Sequence, residues 1–517
     1  MTNIITDHGN DYYSAAYEIY NVILLISSYS LPLAVSKVVS AKVALGEYRN
    51  SWSAFKGALY MALVVGAAGS ALTFFGAGFF TGTLLNTPES ELCLKVLALA
   101  VFVMAVMGVL RGFFQGMGTM MPTAISQIIE QIVNAIVSIA AASYLFSYGV
   151  KLDAAAGITN GKSGAIYGAA GSTLGTSLGA AAGLLFLIIV MLMYNRVLQK
   201  NMRRDHVSRQ ESYASTLRVL IMTIVPVILS TAVYNISGIV DQGVFKYLML
   251  DVQKADKSTV EIYWGIYVGK YKLLTNVPIA VASALSASTI PALTRARISG
   301  DWDEMRKKTE GAIRMVMMIC IPSAFGLTAL GAPILDLLSW NTNEIAPKLF
   351  LIGSASVIFY GLSTLTNGIL QGIDRMQIPV RNAVIALVTH LLLMISLVQL
   401  GKLHIYGVVL AYMFFAILMC ILNGAAIRKH LDYHQEIKRT FLIPGVSSLI
   451  MALAVWLLYQ SLHKVIGVRI STLLCLILAV IIYAFFVLLL HGITEEELRS
   501  FPKGRTIVRM LKKIHLI

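Results

Sequence analysis

Arg111-Gly-Phe-Phe-Gln-Gly-Met-Gly-Thr-Met120 returns 256 residues later as Asn367-Gly-Ile-Leu-Gln-Gly-Ile-Asp-Arg-Met376, with four of ten positions identical. Gly112 matches Gly368, Gln115 matches Gln371, Gly116 matches Gly372 and Met120 matches Met376, and apolar residues face apolar ones between them. A second pairing sets Leu31-Pro-Leu-Ala-Val35 against Val277-Pro-Ile-Ala-Val281 at an offset of 246. Both lead to a Gly-acid turn, Gly46-Glu47 and Gly300-Asp301, where the offset is 254, so the second copy is expected to carry about eight extra linker residues. Two copies of one bundle explain this pattern, and transporters built from such halves bind substrate near the midplane.

The surrounding sequence says what kind of bundle. Of 517 residues 57% are apolar and 13% charged, and the mean hydropathy is +0.75. That excludes a soluble enzyme and fits a stack of segments near the ~20 residues needed to cross a bilayer. Thirteen candidate helices emerge, beginning with Tyr12 to Leu45 and Phe55 to Phe80 and including Leu217 to Leu250 and Ala346 to Leu370. The longest exceed a bilayer and are expected to tilt, protrude or kink at Pro32, Pro226, Pro278 or Pro322. The Gln-Gly turn closes the third helix and the ninth, so the repeat unit is six helices. The expected plan is all-α and integral to the membrane: two pseudo-symmetric six-helix bundles plus two C-terminal helices, with the first helix of the first copy missing. Its parts are an N-terminal bundle (1–198), a basic cytoplasmic linker (199–216), a C-terminal bundle (217–430), two extra crossings (440–492) and an amphipathic tail (493–517).

The net charge of +15 would suit nucleic acid if the charges were scattered, but they sort by loop. Alternate loops, counting Arg111 as one of their residues, hold 28 Lys and Arg; the opposite set holds nine, and Lys37, Lys246, Lys270 and Lys272 fall within helices. Basic residues stay inside during insertion, which places the C-terminus in the cytoplasm and Met1 to Asp11 outside. No signal peptide precedes that outside end, a second pointer to a missing helix. The cysteines Cys93, Cys320, Cys420 and Cys475 stand alone in apolar runs, as packing residues.

Ionisable residues within the bilayer cost roughly 2.5–3.5 kcal/mol each and so face a wet cavity or a partner. Lys270 and Lys272 are the close basic pair within one helix; either supplies a counter-ion for phosphate, or snorkels, or pairs with Asp241. Two residues apart, they point about 200° away from one another, so one at most faces a cavity centre. Lys37 lies near the cytoplasmic end, where it snorkels or joins a substrate site. Asp241, in the polar run from Asn235, either binds a coupling proton or cation or neutralises a lysine. Gln127, Glu130, Gln131 and Asn134 share a helix face, and His390 repeats Asn134 at the offset of 256; such faces line a cavity or bond across the bundle. Glu18 is expected near the outer surface. Gly157-Ile-Thr-Asn-Gly-Lys-Ser163 has three residues between its glycines, where a phosphate loop has four, so no nucleotide site is expected. Gly164, Gly168, Gly175, Gly179 and Gly183 suit close helix packing. His430, His434 and Glu436 read as a solvated loop rather than a metal site, and Thr506 to Ile517 as an interfacial helix.

Tyr17-Glu-Ile-Tyr-Asn21, Leu31-Pro-Leu-Ala-Val-Ser-Lys37, Asp241 after Asn235-Ile-Ser-Gly238, and Asn367-Gly-Ile-Leu-Gln-Gly372 together resemble the polysaccharide exporter and lipid II flippase branch of the multidrug/oligosaccharidyl-lipid/polysaccharide exporter superfamily, with stage V sporulation protein B-like members nearest in look. The resemblance implies a flippase for undecaprenyl-pyrophosphate-linked saccharide in a bacterial inner membrane, working by alternating access, with no enzymatic activity and no bound cofactor. Lipid-linked saccharide and membrane lipids are then its partners, and a proton or sodium gradient is the candidate driving force. It also implies a functional basic residue close to Lys270 and Lys272. This chain departs from the branch in lacking its first helix and in reading Val22-Ile-Leu-Leu25 where the branch has a basic pair. A cation-coupled multidrug exporter of the same superfamily is the competing reading, and Asp241, Glu130 and Glu18 would be its acidic groups.

Overall fold

The computed structural model describes residues 2–25, 31–157, 161–205, 237–338 and 343–492, together with 218, 222 and 340. All regular structure among them is helical. Helices α1 (Thr2–Leu24), α2 (Leu31–Ala44), α3 (Tyr48–Phe75), α4 (Glu91–Gly116), α5 (Met121–Ala155) and α6 (Lys162–Arg204) come first. They are followed by α7 (237–247) and α8 (Lys257–Ile266), which runs through a π-helical turn (Tyr267–Lys272) into α9 (Leu273–Ile298). Next are α10 (Trp302–Leu337), α11 (Ile345–Gly353), α12 (Ser356–Gly372), α13 (Gln377–Ile395), α14 (His404–Leu431), α15 (Ile443–Ile466) and α16 (Val468–Leu489). By contacts the chain forms two compact units, Met1–Gly265 and Ile266–Ile517.

Among the described residues ten helices are long and apolar enough to cross a bilayer, and α11 with α12, bent by 52°, makes an eleventh. The exposed side chains fit that solvent: Phe75, Leu192, Met193, Leu400 and Val480 are each more than 60% exposed, which water would penalise and lipid does not. At 43 residues α6 is about 65 Å long, twice the hydrocarbon thickness, so its basic end protrudes as the sequence led one to expect. Of the two crossings left from the thirteen, 217–250 is described only at 218, 222 and from 237 onward, and Tyr12 to Leu45 resolves into α1 and α2 on either side of 26–30. The bend at Ser354 and Ala355 likewise divides the helix expected over Ala346 to Leu370. The tail 493–517 and residues 158–160 lie outside the described residues.

Three expectations are corrected. Helix α1 begins at Thr2 rather than Tyr12, because Asn10 and Asp11 are buried against other helices instead of standing in an outside loop. Arg111 is a helical residue of α4, not a loop residue, and is held there by a carboxylate of α5. The second copy carries no eight-residue linker: α9 is continuous to Ile298.

The repeat is visible in the packing. A Cβ on Gly112 would lie 2.6 Å from the Pro32 carbonyl oxygen, and one on Gly116 would lie 2.6 Å from Val39 Cβ, so α4 rides directly on α2. In the second unit Gly368 meets Ser286, and a Cβ on Gly372 would lie 3.0 Å from Leu293 Cβ, so α12 rides on α9 in the same way. Pro32 to Ser286 and Val39 to Leu293 are both offsets of 254, the same as Gly46 to Gly300. The offset of 246 that aligns Pro32 with Pro278 is therefore two helical turns out of register: apolar helices repeat their pattern at that spacing, and only the close contacts fix the phase. Gly164, Gly168, Gly175 and Gly179 do serve close packing, of α6 on α5, where Cβ atoms would strike Val150, Phe146, Ser138 and the Glu130 carbonyl. At the entry to α15, burial works against ionisation of Glu436, yet the N–H groups of Arg439 and Thr440 and the Thr440 hydroxyl outweigh it and hold the carboxyl below the usual carboxylate range.

Candidate functional site

The π-helical turn Tyr267–Lys272 sets the two sequence-predicted lysines in different surroundings. Lys270 is 2% exposed, whereas Lys272 is half-buried and its Nζ lies 5.4 Å from the ring centroids of both Tyr267 and Tyr412. A cation over two aromatic faces is attracted by the ring quadrupoles, which replace part of its hydration. The rings are themselves fixed. Tyr412 stacks on Tyr360 at 4.1 Å, Tyr360 lies over Phe415 at 6.1 Å, and the edge of His390 meets Phe415 at 6.0 Å. Tyr267 stacks on Tyr271, whose hydroxyl donates to the Gly353 carbonyl (2.8 Å) and meets Ser356 Oγ (2.9 Å). That hydroxyl satisfies a carbonyl which the bend between α11 and α12 takes out of helical pairing. The structure thus joins Lys272 to His390 through Tyr412, Tyr360 and Phe415, which no sequence pattern singled out, since aromatics in apolar helices have no distinguishing spacing.

Farther along α14, 11 residues or about 16 Å beyond Tyr412, Asn423 centres a buried amide network. Asn382 Nδ2 donates to Asn423 Oδ1 (2.9 Å), and Asn423 Nδ2 donates to Asn367 Oδ1 (2.7 Å) and Thr366 Oγ1 (3.1 Å). Asn382 repeats Ser126 at the offset of 256, as Asn367 repeats Arg111, so a signal for it was present in the sequence.

In the first unit the polar face of α5 is not one open surface. Arg111 reaches from α4 to Glu130 Oε2 (2.7 Å) and to Ser126 Oγ (3.0 Å), and both members of the ion pair are nearly buried. Asn134 packs against Gly175 and Gly179 and accepts from Ser138 Oγ, while Gln127 is exposed. Asp241, 4% exposed, shares α7 with Gln242 and Lys246, which both bind Asp11; Lys246 Nζ is 2.7 Å from Asp11 Oδ2 and 2.5 Å from Thr87 Oγ1. Nearby Glu89 takes Lys162 and Lys257, and Glu261 takes Tyr12 and His8. These ties, between residues up to 253 positions apart, had no local sequence signal. Asn235 and the side chain of Lys37 lie outside the described residues.

Residues 1–297 match the family described as polysaccharide biosynthesis protein. The chain is 25% identical over 461 residues to the lipid II flippase MurJ of Bacillus subtilis (strain 168), covering 86% of this chain and 81% of that protein. It is 22% identical over 513 residues to stage V sporulation protein B of the same organism, covering 98% and 94%. Among solved structures, the fold is similar to a multidrug resistance MATE family transporter of the MOP superfamily in its inward-facing conformation (TM-score 0.64, 13% identity, 84% and 95% covered) and to lipid II flippase MurJ in an inward closed conformation (TM-score 0.59, 16% identity, 94% and 96% covered). The chain is a multi-pass membrane protein that belongs to the polysaccharide biosynthesis protein family.

Proposed function

We propose that the protein is an alternating-access flippase for a polyprenyl-pyrophosphate-linked saccharide in a bacterial inner membrane, with its C-terminus cytoplasmic, and that Lys272 is the cation that receives the pyrophosphate. The observation that carries the assignment of the lysine is its placement: Lys272 is half-exposed and held by Tyr267 and Tyr412, whereas Lys270 is enclosed. A lipid-linked saccharide carries its charge at the phosphates, and a fixed cation in a low-dielectric cavity attracts it far more strongly than the same cation in water. The similarity to MurJ and to stage V sporulation protein B supports the substrate class. Asp241 is the carboxylate we assign to coupling with a proton or sodium gradient, because an ionisable residue buried within a membrane helix is a functional candidate.

The multidrug reading draws on the shared fold. It needs carboxylates available to cationic drugs, and Glu130 is already neutralised by Arg111. Exchange of fluorescent lipid-linked saccharide in proteoliposomes tests the choice. Lys272→Gln is expected to lower the rate at least tenfold, with part restored by Lys272→Arg because charge survives with altered geometry. A parental rate in Lys272→Gln, with loss of drug transport in Asp241→Asn, would overturn the assignment in favour of the multidrug exporter.

A further inference from the structure

The basic end of the second unit contains a cleft that the transport reading leaves unused. Two adjoining cavities, one of about 280 Å³, share Cys420, Gly424 and Arg428 of α14. The smaller is walled by Ile313, Leu362, Ile427 and Phe441 and floored by Tyr433 and His434; the other opens toward Lys429. Arg428 lies 16 residues beyond Tyr412 on the same helix, about 24 Å along its axis, so this is not the Lys272 site.

Three features point to a ligand. First, the cations are uncommitted. Arg306 is bound to the Leu431 carbonyl and to Asp303, and Arg314 to Glu310, but Arg428 and Lys429 make no ion pair or hydrogen bond among the described residues. Second, the Tyr433 hydroxyl is buried, on a residue 8% exposed; its oxygen faces the Glu436 backbone N–H, but among the described residues its own proton has no acceptor, and a buried donor without one is costly. Third, Gly424 faces the open cleft: a Cβ there would meet nothing within 4 Å among the described residues, in a helix where glycine costs about 1 kcal/mol against alanine.

We propose that this cleft binds the phosphate of an anionic phospholipid such as phosphatidylglycerol, with Arg428 and Tyr433 on the phosphodiester, Lys429 at the outer opening and the glycerol and proximal acyl carbons along the apolar wall. Basic pockets at the ends of membrane helices are suited to such headgroups. An inorganic anion would leave the wall of Ile313, Leu362 and Phe441 unmatched, and a zwitterionic lipid would bring its own ammonium toward two cations, with only Asp432, already 3.7 Å from Arg306, to receive it.

Thermal unfolding of the purified full chain in detergent, titrated with phosphatidylglycerol, phosphatidylcholine or inorganic phosphate, tests this. Phosphatidylglycerol alone is expected to raise Tm. Arg428→Gln should weaken its apparent affinity roughly fivefold and Arg428→Gln with Lys429→Gln roughly twentyfold. Gly424→Leu fills the cleft while keeping both charges, and should abolish the shift without lowering the lipid-free Tm. A parental response to phosphatidylglycerol in Gly424→Leu, an equal response to phosphatidylcholine, or competition by inorganic phosphate at matched concentration would each overturn the lipid assignment.

Discussion

The two copies of the repeat hold the same positions with different chemistry. In the first, Arg111 on α4 is tied to Ser126 and Glu130 on α5 by charge. In the second, the residues at the offset of 256 are Asn367, Asn382 and Ala386, and the link runs through neutral amides with Asn423 of α14 as the bridge. Yet the backbone around them is the same. In the first copy the Gly118 N–H bonds the Gln115 carbonyl and the Thr119 N–H bonds Phe114; in the second, Asp374 bonds Gln371 and Arg375 bonds Leu370. Helix stop and helix-on-helix approach are geometric demands that both copies must meet. What fills the space between helices has only to be satisfied, and an ion pair or an amide network will do.

That contrast predicts unequal losses. Replacing Arg111 by Met leaves Glu130 buried without a counter-charge, and removing one member of a buried pair typically costs about 3 kcal/mol or more. Asn423→Ala leaves neutral Asn367 and Asn382 short of partners, which costs about 1–2 kcal/mol. Denaturant unfolding in mixed micelles measures both, and Arg111→Met with Glu130→Met should recover most of the larger loss. If Arg111→Met proves no costlier than Asn423→Ala, the charge in the first copy is solvated and the distinction between the copies collapses.

How much of this was legible in the sequence follows the same division. The crossings, the repeat and its Gln-Gly turns were legible because hydropathy and glycine placement report backbone demands directly. The phase of the α2 and α9 match was not, since Pro32 and Pro278 offered an apolar alignment eight residues away from the true one. Lys270 and Lys272 were legible as a pair that must diverge. Which one faces outward depended on Tyr267, Tyr360 and Tyr412, whose roles exist only once distant helices meet. Arg111 was misplaced because a charge beside a glycine turn reads as loop until its partner on the next helix is known.

A second prediction sharpens the comparison at the helix crossings. Gly112→Ala drives a methyl into the backbone of Pro32, which cannot rotate away, and overpacking of that kind costs about 2 kcal/mol. Gly368→Ala meets mainly the Ser286 hydroxyl, which can turn to another rotamer at the loss of its 3.2 Å bond to the Thr364 carbonyl, so its cost is expected to be about 1 kcal/mol. Adding Ser286→Ala should erase most of that cost. Equal losses at the two glycines would mean that α9 and α12 are as tightly locked as α2 and α4.

The smallest effect lies in the turn itself. Gly118 and Asp374 occupy the same left-handed position, with φ of +85° and +59°, and glycine takes that conformation at no steric cost whereas an L side chain does not. Asp374→Gly should therefore stabilise the second copy, and Gly118→Asp should destabilise the first by about 1 kcal/mol. The gain is smaller than the loss because Asp374 also pairs with Arg297 at 2.9 Å, and an exposed pair of this kind contributes about 0.2–1 kcal/mol. Arg297→Gln removes that contribution beforehand, so in its background Asp374→Gly should yield the full gain, near the size of the Gly118→Asp loss. If Asp374→Gly gives no gain there, the turn in the second copy is not limited by its backbone conformation, and the equivalence of the two helix stops fails at the position of Gly118 and Asp374.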